Sequence, residues 1–343
     1  MSDPSPAPAA RVLPRNCTFA GDDWRVLAAF WHPVALASGV GANPVGVRLL
    51  DQDIVLYRTD GGLSAAADIC AHRGSPLSMG KIKDNRIKCA YHGYCYDARG
   101  RCTEIPAHPD SPIPGKLQLR MFRSEERYGL VWVCLDPDSR RQIPAFPEAA
   151  LPGFQVINVP PLAWAASAGR QLESFCDVAH FAFVHESTFA AASPVVPRYT
   201  VEATGDGLHA DFTSNVGNVS DRQAADQVWK RIYDVHVPFV AHLLIHFPGK
   251  GRMAILNAGS PVAARRTNVF AVVARDFDLE EPTEAVVEFQ RRVYAEDQAV
   301  VERQNPEDLP IDLSEEVHVR ADLTSVTYRR QLAAIGLGRS FTS

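Results

Sequence analysis

The 343-residue sequence contains no apolar run long enough to cross a lipid bilayer, so a helical membrane protein is not expected. Residues 1–14 also lack the apolar stretch that an export signal requires, since proline, alanine and serine dominate there. There is no excess of positive charge: the formal net charge is −5, with both signs mixed along the chain. This balance argues against a nucleic-acid partner. We therefore expect a cytoplasmic protein that binds neither membranes nor nucleic acid.

Cysteine is scarce as well, with seven residues in the chain. In the reducing compartment that we expect, cysteines in motifs are metal ligands more often than disulfide partners. The cysteines outside the motifs described below are predicted to be ordinary side chains without a metal. They are Cys17, Cys95, Cys102, Cys134 and Cys176.

Proline-rich passages divide the sequence into three parts. Residues 1–16 are predicted to be a disordered tail, and prolines around residue 150 separate a part spanning 17–150 from a part spanning 151–343. After a short helix over 22–30, apolar runs and the hairpin turn Asp60-Gly61-Gly62 predict β structure in the first of these parts. The second part mixes strand patterns, including one over 233–247, with helical patterns, including a long one over 282–304. These patterns predict an α+β protein in which a small β domain precedes a domain with helices around a sheet.

Two short motifs in the first part, Cys70-Ala-His72 and Cys89-Ala-Tyr-His92, are separated by sixteen residues. A Rieske [2Fe–2S] cluster needs two thiolates on one iron and two imidazoles on the other. Each motif supplies one of each, so these four side chains are the predicted cluster ligands. Structural zinc is the alternative, but zinc loops usually hold two cysteines in one knuckle, and a C-x-H pair is unusual there.

The second part opens with Asp177, His180 and His185. Asp177 and His180 are three residues apart, which a helix places on one face. His185 does not return to that face, so the helix must bend or end if both imidazoles meet one metal. The alternative for either histidine alone is a core residue that binds nothing.

A 2-His-1-carboxylate iron site leaves coordination positions open for O2 and needs an acid from elsewhere in the chain. In the last long helix, Asp297 continues an apolar stripe at a position where a hydrophobic residue is expected. A buried carboxylate without a partner is costly, so Asp297 should meet a cation. Glu296 is a weaker candidate, and pairing of Asp297 with an arginine such as Arg170 is the alternative. The stripe consists of Val286, Phe289, Val293, Asp297 and Val300.

These motifs, in this order, resemble the α-subunits of Rieske non-haem iron oxygenases, above all the vanillate, dicamba and caffeine demethylase group. The resemblance extends over nearly the whole chain and includes Phe30-Trp-His-Pro33, His92-Gly-Tyr94 and Ala295-Glu-Asp297. Two positions depart from the family pattern. Ser174 stands where many members have asparagine, and Tyr94 stands where tryptophan is commoner.

The resemblance implies an N-terminal all-β Rieske domain and a C-terminal helix-grip catalytic domain with an antiparallel sheet around a substrate cavity. It implies a mononuclear Fe(II), with O2 as cosubstrate. Asp177 would connect the cluster histidine of one protomer to the iron histidine of its neighbour, in a homotrimer or a trimer-based hetero-oligomer. The implied cluster ligands are Cys70, His72, Cys89 and His92, and the implied iron ligands are His180, His185 and Asp297.

A nicotinamide site is not predicted, because the glycine pair in 39–44 lacks the third glycine of a dinucleotide fingerprint and is followed by Pro44. NAD(P)H would therefore act indirectly, through a separate reductase or ferredoxin. We expect hydroxylation of a small aromatic or heterocyclic substrate, with N- or O-demethylation and formaldehyde release favoured. The alternatives are a ring-hydroxylating or aryl-ether-cleaving dioxygenase, an electron carrier without chemistry of its own, and a zinc-stabilised binding protein.

Substrate contacts are the least defined part of the sequence. On the strand pattern over 240–247, the side chains of His242, Leu244 and His246 share one face, which either lines the cavity or faces solvent. Asn257 is a further candidate. The cavity is expected to be mostly apolar with few polar anchors.

Overall fold

The computed structural model describes residues 13–188, 194–214 and 229–338. Of the predicted tail over 1–16, only 13–16 are among them, and Leu13 there packs against the core. None of the described helices is both long and apolar enough to span a membrane.

The first half is built from β strands that follow one helix, α1 (Gly21–Ala28). A six-stranded sheet has the order β1-β10-β9-β4-β3-β2, and a four-stranded sheet has the order β5-β6-β7-β8. The predicted hairpin turn joins β3 to β4, where Thr59 pairs with Gly62. The strands are β1 (His32–Leu36), β2 (Val45–Leu49), β3 (Gln52–Thr59), β4 (Gly62–Ala67), β5 (Lys81–Lys83), β6 (Arg86–Lys88), β7 (Cys95–Tyr96), β8 (Cys102–Glu104), β9 (Met121–Arg127) and β10 (Leu130–Cys134).

The second half is a seven-stranded antiparallel sheet in the order β11-β17-β16-β15-β14-β13-β12, with helices against it. This arrangement confirms the predicted α+β class. Its helices are α2 (Ala168–Cys176), α3 (Phe181–Val184), α4 (Thr283–Val301) and α5 (Leu323–Ala334). Its strands are β11 (Gln155–Trp164), β12 (Thr200–Ala203), β13 (Gly207–Ser214), β14 (Trp229–His236), β15 (Val240–Phe247), β16 (Gly251–Ala263) and β17 (Arg266–Arg275).

The two halves are joined by backbone hydrogen bonds and by a common core. The amides of Leu50 and Asp51 donate to the carbonyl oxygens of Pro261 and Val262, at 2.7 and 3.0 Å. One continuous apolar cluster contains buried residues of both halves, such as Leu56 and Val273. A second cluster, with Trp132, Phe146 and Phe270, covers the other face of the seven-stranded sheet. Both faces of that sheet are therefore buried near its centre.

Two sequence predictions differ from the structure in this half. The strand pattern predicted over 233–247 is two strands, β14 and β15, with a turn between them that contains Pro238. Proline cannot donate a ladder hydrogen bond, which explains the interruption. The longest strand, β16, was not predicted, because its apolar run does not alternate in polarity. It pairs with neighbours on both sides and is buried along most of its length.

Candidate metal centres and substrate cavity

The two cysteine–histidine motifs form loops with the same backbone pattern. In one loop the Gly74 amide donates to the Cys70 carbonyl at 2.9 Å, and in the other the Gly93 amide donates to the Cys89 carbonyl at 3.1 Å. Both glycines have φ +74°, a conformation that side chains strongly disfavour. A glycine four residues after each cysteine therefore permits the tight turn that brings cysteine and histidine together.

These loops place thiols inside and imidazoles at the surface. Cys70 and Cys89 are each 3 % exposed, and neither forms a disulfide. The rings of His72 and His92 lie 4.7 Å apart, centroid to centroid. His72 Nδ1 is buried and has no hydrogen-bond partner in the described part of the chain. Two buried thiols and a buried ring nitrogen without a partner fit the asymmetric ligand set of a Rieske cluster, which would be held by these four residues.

Tyr94, one of the departures from the family pattern, stacks on His72 with ring centroids 4.3 Å apart and an interplanar angle of 6°. It therefore buries one face of the imidazole. The Tyr96 hydroxyl lies 3.1 Å from Cys70 Sγ, within hydrogen-bonding distance.

The second group of predicted ligands comes from two separate segments of the second half. α2 ends at Cys176, and His180 and His185 flank the short helix α3. The sequence required the helix to bend or end if both imidazoles meet one metal, and α2 does end before His180, so the two histidines do not lie on one continuous helix. The prediction that Asp177 and His180 share a helix face is wrong, because Asp177 has extended backbone and the two side chains meet across a turn. Asp297 reaches the same point from α4.

The three ligand atoms form a nearly equilateral triangle. His180 Nε2 lies 3.2 Å from His185 Nε2 and 3.3 Å from Asp297 Oδ1, and His185 Nε2 lies 3.1 Å from Asp297 Oδ1. Ligands at right angles around a divalent metal, with bonds of about 2.1 Å, are about 3 Å apart. This triangle is the face of an octahedron that a 2-His-1-carboxylate site requires. Within the described part of the chain, the ligand atoms of these three side chains all lie within 4.8 Å of one another, close enough to bind one metal ion.

The outer nitrogens of both histidines already have acceptors. His180 Nδ1 lies 2.8 Å from Asp177 Oδ2, and His185 Nδ1 lies 2.7 Å from Glu296 Oε2. If each Nδ1 carries the proton, each Nε2 presents a lone pair to the centre of the triangle. Such outer hydrogen bonds set the tautomer and ring orientation of metal-binding histidines. Glu296 is therefore a supporting residue rather than the third ligand, a role that sequence reasoning missed.

The electrostatics of this group favour a cation. Burial alone would lower the pKa of His180, but Asp177 and Asp297 outweigh this effect and raise it to about 9. Burial would raise the pKa of Asp297, yet His180 and His185 hold it below the ordinary value. The alternative pairing of Asp297 with Arg170 does not occur, because Arg170 contacts Glu316 at 2.7 Å. A divalent metal would satisfy the same buried carboxylate.

A cavity of about 270 Å³ opens directly beside this triangle. His180, His185 and Asp297 form part of its wall. Much of the remaining lining is apolar and includes the predicted stripe of α4, except that Val300 is 49 % exposed. Ser174, the other departure from the family pattern, also lines it. Apolar lining side chains are Phe175, Phe181, Leu243, Ile245, Phe247, Met253, Ile255, Phe277, Val286, Phe289 and Val293.

The structure does not bring His242, Leu244 and His246 to this cavity. Successive side chains of a strand point to opposite faces, and the cavity is lined by the alternate residues of β15. His242 and Leu244 contact the second apolar cluster instead. Asn257 is on the helix side of β16, but it is fully buried and bonded to Gln171 and Tyr294. His242, Leu244 and Asn257 therefore have structural contacts, and substrate contacts must be sought elsewhere.

His242 is instead part of a buried charge cluster behind the sheet. Its Nε2 lies 3.0 Å from Glu148 Oε2, and its Nδ1 lies 3.7 Å from Asp234 Oδ2. The contact between His242 and Glu148 lacks the geometry of a hydrogen bond, so it stabilises the fold mainly through the attraction between opposite charges. Burial alone would lower the pKa of His242, but Asp234 and Glu148 outweigh it and raise the pKa to about 9.

This cluster predicts a pH-dependent stability. A folded-state pKa above the ordinary 6.5 means that the stabilisation is complete below pH 6.5 and is lost as the pH rises through 9. We expect the wild-type protein to lose on the order of 1–3 kcal/mol more of its unfolding free energy over this interval than His242→Gln. Urea unfolding at a series of pH values measures the difference. Parallel curves for the two proteins would contradict the prediction.

Comparison with known proteins agrees with this geometry. Residues 30–122 match the family model described as the Rieske [2Fe-2S] domain, and residues 164–336 match the vanillate O-demethylase oxygenase C-terminal domain. The chain is similar to methylxanthine N1-demethylase of Pseudomonas putida, with 34 % identity over 325 residues that cover 91 % of this chain and 90 % of the relative. Methylxanthine N3-demethylase of the same organism is also 34 % identical, with 90 % and 89 % covered.

Solved structures give the same result. The structure of the N1-demethylase of Pseudomonas putida with caffeine has a TM-score of 0.81 and 31 % identity, with 90 % of this chain and 91 % of the other covered. Dicamba monooxygenase bound to dicamba has a TM-score of 0.77 at 20 % identity, with 90 % and 97 % covered, and shows the common fold.

Proposed function

Because this chain belongs to the Rieske non-haem iron oxygenases, we propose that it oxidatively removes a methyl group from a small heterocyclic or aromatic substrate. The chain is an oxidoreductase of the monooxygenase and demethylase type. The observation that supports the proposal best is the triangle of His180, His185 and Asp297 in the wall of a largely apolar cavity. A ring placed there has its substituents next to the metal position.

The residues of the chain have separate parts in this proposal. Cys70, Cys89, His72 and His92 would hold the [2Fe–2S] cluster that receives electrons from a separate NAD(P)H-dependent reductase or ferredoxin. The His180–His185–Asp297 triangle would hold the Fe(II) that, when bound, activates O2. The apolar walls exclude water and position the methyl group. Hydroxylation of an N- or O-methyl carbon gives a hemiaminal or hemiacetal, which releases formaldehyde and leaves N–H or O–H on the product.

N-demethylation is the first choice, since the two curated relatives described above are N-demethylases. The runner-up is a ring-hydroxylating or aryl-ether-cleaving dioxygenase, which the same ligand triangle could serve. The test is turnover of the reconstituted protein with a surrogate reductase on caffeine, theobromine and vanillate. Demethylated product with an equal amount of formaldehyde supports the proposal, whereas diol or phenol products without formaldehyde favour the runner-up.

We also propose a trimer, in which the cluster of one protomer lies beside Asp177 of the next. Two exposed apolar surfaces support this arrangement. Around the cluster loops, Ile69 and Tyr91 are 53 % and 65 % exposed. In the groove that contains Asp177, Val317 is 91 % exposed. Light scattering of the purified protein measures the size of the assembly. We further propose that the protein is cytoplasmic. We also propose that the boundary between its two domains lies near residue 150.

Asp177 is proposed to position His180 and to couple the two metal centres. We expect Asp177→Asn to leave reduction of the cluster unchanged, while reoxidation of the reduced cluster by O2 with substrate slows about 10- to 100-fold. Stopped-flow absorbance of the cluster separates these two steps. Asp110→Asn, on an exposed loop of the first half, is the control and should behave as wild type. Reoxidation at the wild-type rate in Asp177→Asn would remove this role.

A further inference from the structure

A buried polar contact connects the helix that leads into His180 with the helix that carries Asp297. Gln171 of α2 and Asn257 of β16 pair through both of their amide groups. Gln171 Nε2 donates to Asn257 Oδ1 at 3.0 Å, and Asn257 Nδ2 donates to Gln171 Oε1 at 3.3 Å. The Tyr294 hydroxyl of α4 donates to the same Asn257 Oδ1 at 3.0 Å. We refer to Gln171, Asn257 and Tyr294 as the three-way junction.

The three-way junction is closed to water. Gln171, Asn257 and Tyr294 are 1 %, 0 % and 1 % exposed. Burial is the main reason that the pKa of Tyr294 is raised, and the negative charge of Asp297 adds to it, so the phenol keeps its proton and can donate. Buried donors and acceptors must find partners inside the protein, and a satisfied network therefore favours one arrangement of the elements that carry it.

The helices approach the sheet and each other closely at the three-way junction. Gly259 lies two positions after Asn257, on the same face of β16. A Cβ atom at Gly259 would lie 3.2 Å from Gln171 Oε1, so the glycine permits the close approach of α2. Phe175, one turn after Gln171, stacks on Tyr294 with ring centroids 6.4 Å apart and an interplanar angle of 22°. Hydrogen bonds and ring packing therefore join α2, α4 and β16 in one place.

The three-way junction is also close along the chain to the metal-binding triangle. Tyr294 precedes Asp297 by three residues, which is about one turn of α4. Gln171 is six residues before Asp177, whose carboxylate lies 2.8 Å from His180 Nδ1. A shift of α4 against α2 would therefore change the 3.3 Å distance between Asp297 Oδ1 and His180 Nε2. Functional side chains must be held within about 0.5 Å of their working geometry by the residues around them.

We propose that the three-way junction positions the metal-binding triangle by fixing α2 and α4 to β16. This inference rests on the proposed function, because it requires a metal ion at His180, His185 and Asp297. Gln171 and Tyr294 are positioning residues, which act through the helices that lead to the ligands. Without their hydrogen bonds the helices keep their apolar contacts, but α4 can shift against α2. The triangle then binds a metal ion less tightly and in an altered geometry.

The experiment measures the metal affinity of junction variants with Co²⁺ as the probe. Co²⁺ is added anaerobically to the full-length, cluster-containing protein after a chelator has removed the mononuclear metal. Competition with a coloured chelator gives the affinity, and the absorption of bound Co²⁺ reports its ligand geometry. We expect Tyr294→Phe and Gln171→Leu each to weaken binding about tenfold, at the lower end of the range for groups that orient metal ligands. Loss of binding in Asp297→Ala places the Co²⁺ in the triangle.

Tyr328→Phe is the matched control. Tyr328 of α5 is 1 % exposed, and its hydroxyl donates to the carbonyl oxygen of Pro238 at 2.7 Å. The control therefore loses a comparable buried hydrogen bond on a helix that carries none of the three proposed ligands. Urea unfolding should show similar losses of stability in Tyr294→Phe and Tyr328→Phe. Co²⁺ affinity and absorption should change in Tyr294→Phe and stay at wild type in Tyr328→Phe, whereas a merely structural role would leave both unchanged.

Four results would overturn the inference: wild-type affinity in both junction variants, a loss in only one of them, an equal loss in Tyr328→Phe, or Co²⁺ binding that survives Asp297→Ala. Formaldehyde release by the iron-loaded wild-type protein tests the proposed function separately. Formaldehyde together with unchanged affinity in the junction variants contradicts the inference alone. The expected losses of affinity in a protein that releases no formaldehyde from methylated rings contradict demethylation alone.

Discussion

Asp297→Ala is expected to remove the mononuclear iron and with it the oxygenase activity, while the cluster remains. Asp297 is 6 % exposed and contributes the single carboxylate of the triangle. Loss of a supporting partner of a metal ligand costs about 10- to 100-fold, so loss of the ligand itself should reduce turnover by more than about a hundredfold. Iron content should fall from about three to about two atoms per chain, because the cluster accounts for two.

The structure offers graded controls for this experiment on the same helix. Glu288→Gln removes an exposed carboxylate of α4 and should leave iron content and activity unchanged. Glu296→Gln weakens the hydrogen bond that supports His185. Its iron content and activity should lie between those of Asp297→Ala and Glu288→Gln. Full iron content and activity in Asp297→Ala would show that the acid is not a ligand. Unchanged visible absorption of the cluster would show that the first half is intact.

The second large effect concerns stability rather than chemistry. Arg329 of α5 is 2 % exposed and makes a two-pronged contact with Glu173 of α2, at 2.7 and 2.8 Å. It also bonds Glu316 at 2.6 Å. Removal of one partner of a buried ion pair leaves an uncompensated charge, which costs about 3–5 kcal/mol. We therefore expect Arg329→Met to lower the unfolding free energy by about this amount, as measured in urea.

The neighbouring residue provides the matched control. Arg330 is exposed on the same helix, so Arg330→Met should change stability by less than about 0.5 kcal/mol. The double variant Arg329→Met with Glu173→Leu removes both charges and should recover part of the loss. A loss below about 1 kcal/mol in Arg329→Met would mean that water or another group compensates Glu173. Because α2 leads into Asp177 and His180, this pair also supports the proposed iron site.

The features that the sequence alone could indicate are those with local causes. The cysteine–histidine motifs each form a loop within six residues, with a glycine where the backbone requires it, so their spacing carries the information. Asp297 was conspicuous because a charge interrupted an apolar stripe. The helix over 282–304 corresponds to α4, Thr283–Val301, since its periodicity is continuous.

The misplaced residues depend on contacts between distant segments. Alternation along β15 showed that His242 and Leu244 share a face, but it could not show which face meets the cavity, because apolar clusters cover both. The role of Glu296 depends on the turn that places His185 Nδ1 beside it. Trp229, Arg231 and Tyr233, which line the cavity from β14, were overlooked for the same reason, since an aromatic–arginine–aromatic alternation is also typical of an ordinary half-buried strand.

The joint between the halves limits how such enzymes can be recombined. Strand β16 contacts the first half through Pro261 and Val262, and its other end lines the cavity at Met253. A chimaera that exchanged the entire second half with a relative would therefore cut through one shared interior and leave mismatched surfaces on both sides. We expect that a transplant of only the cavity-facing residues of β14 and α4 would change which substrates fit while keeping that interior whole.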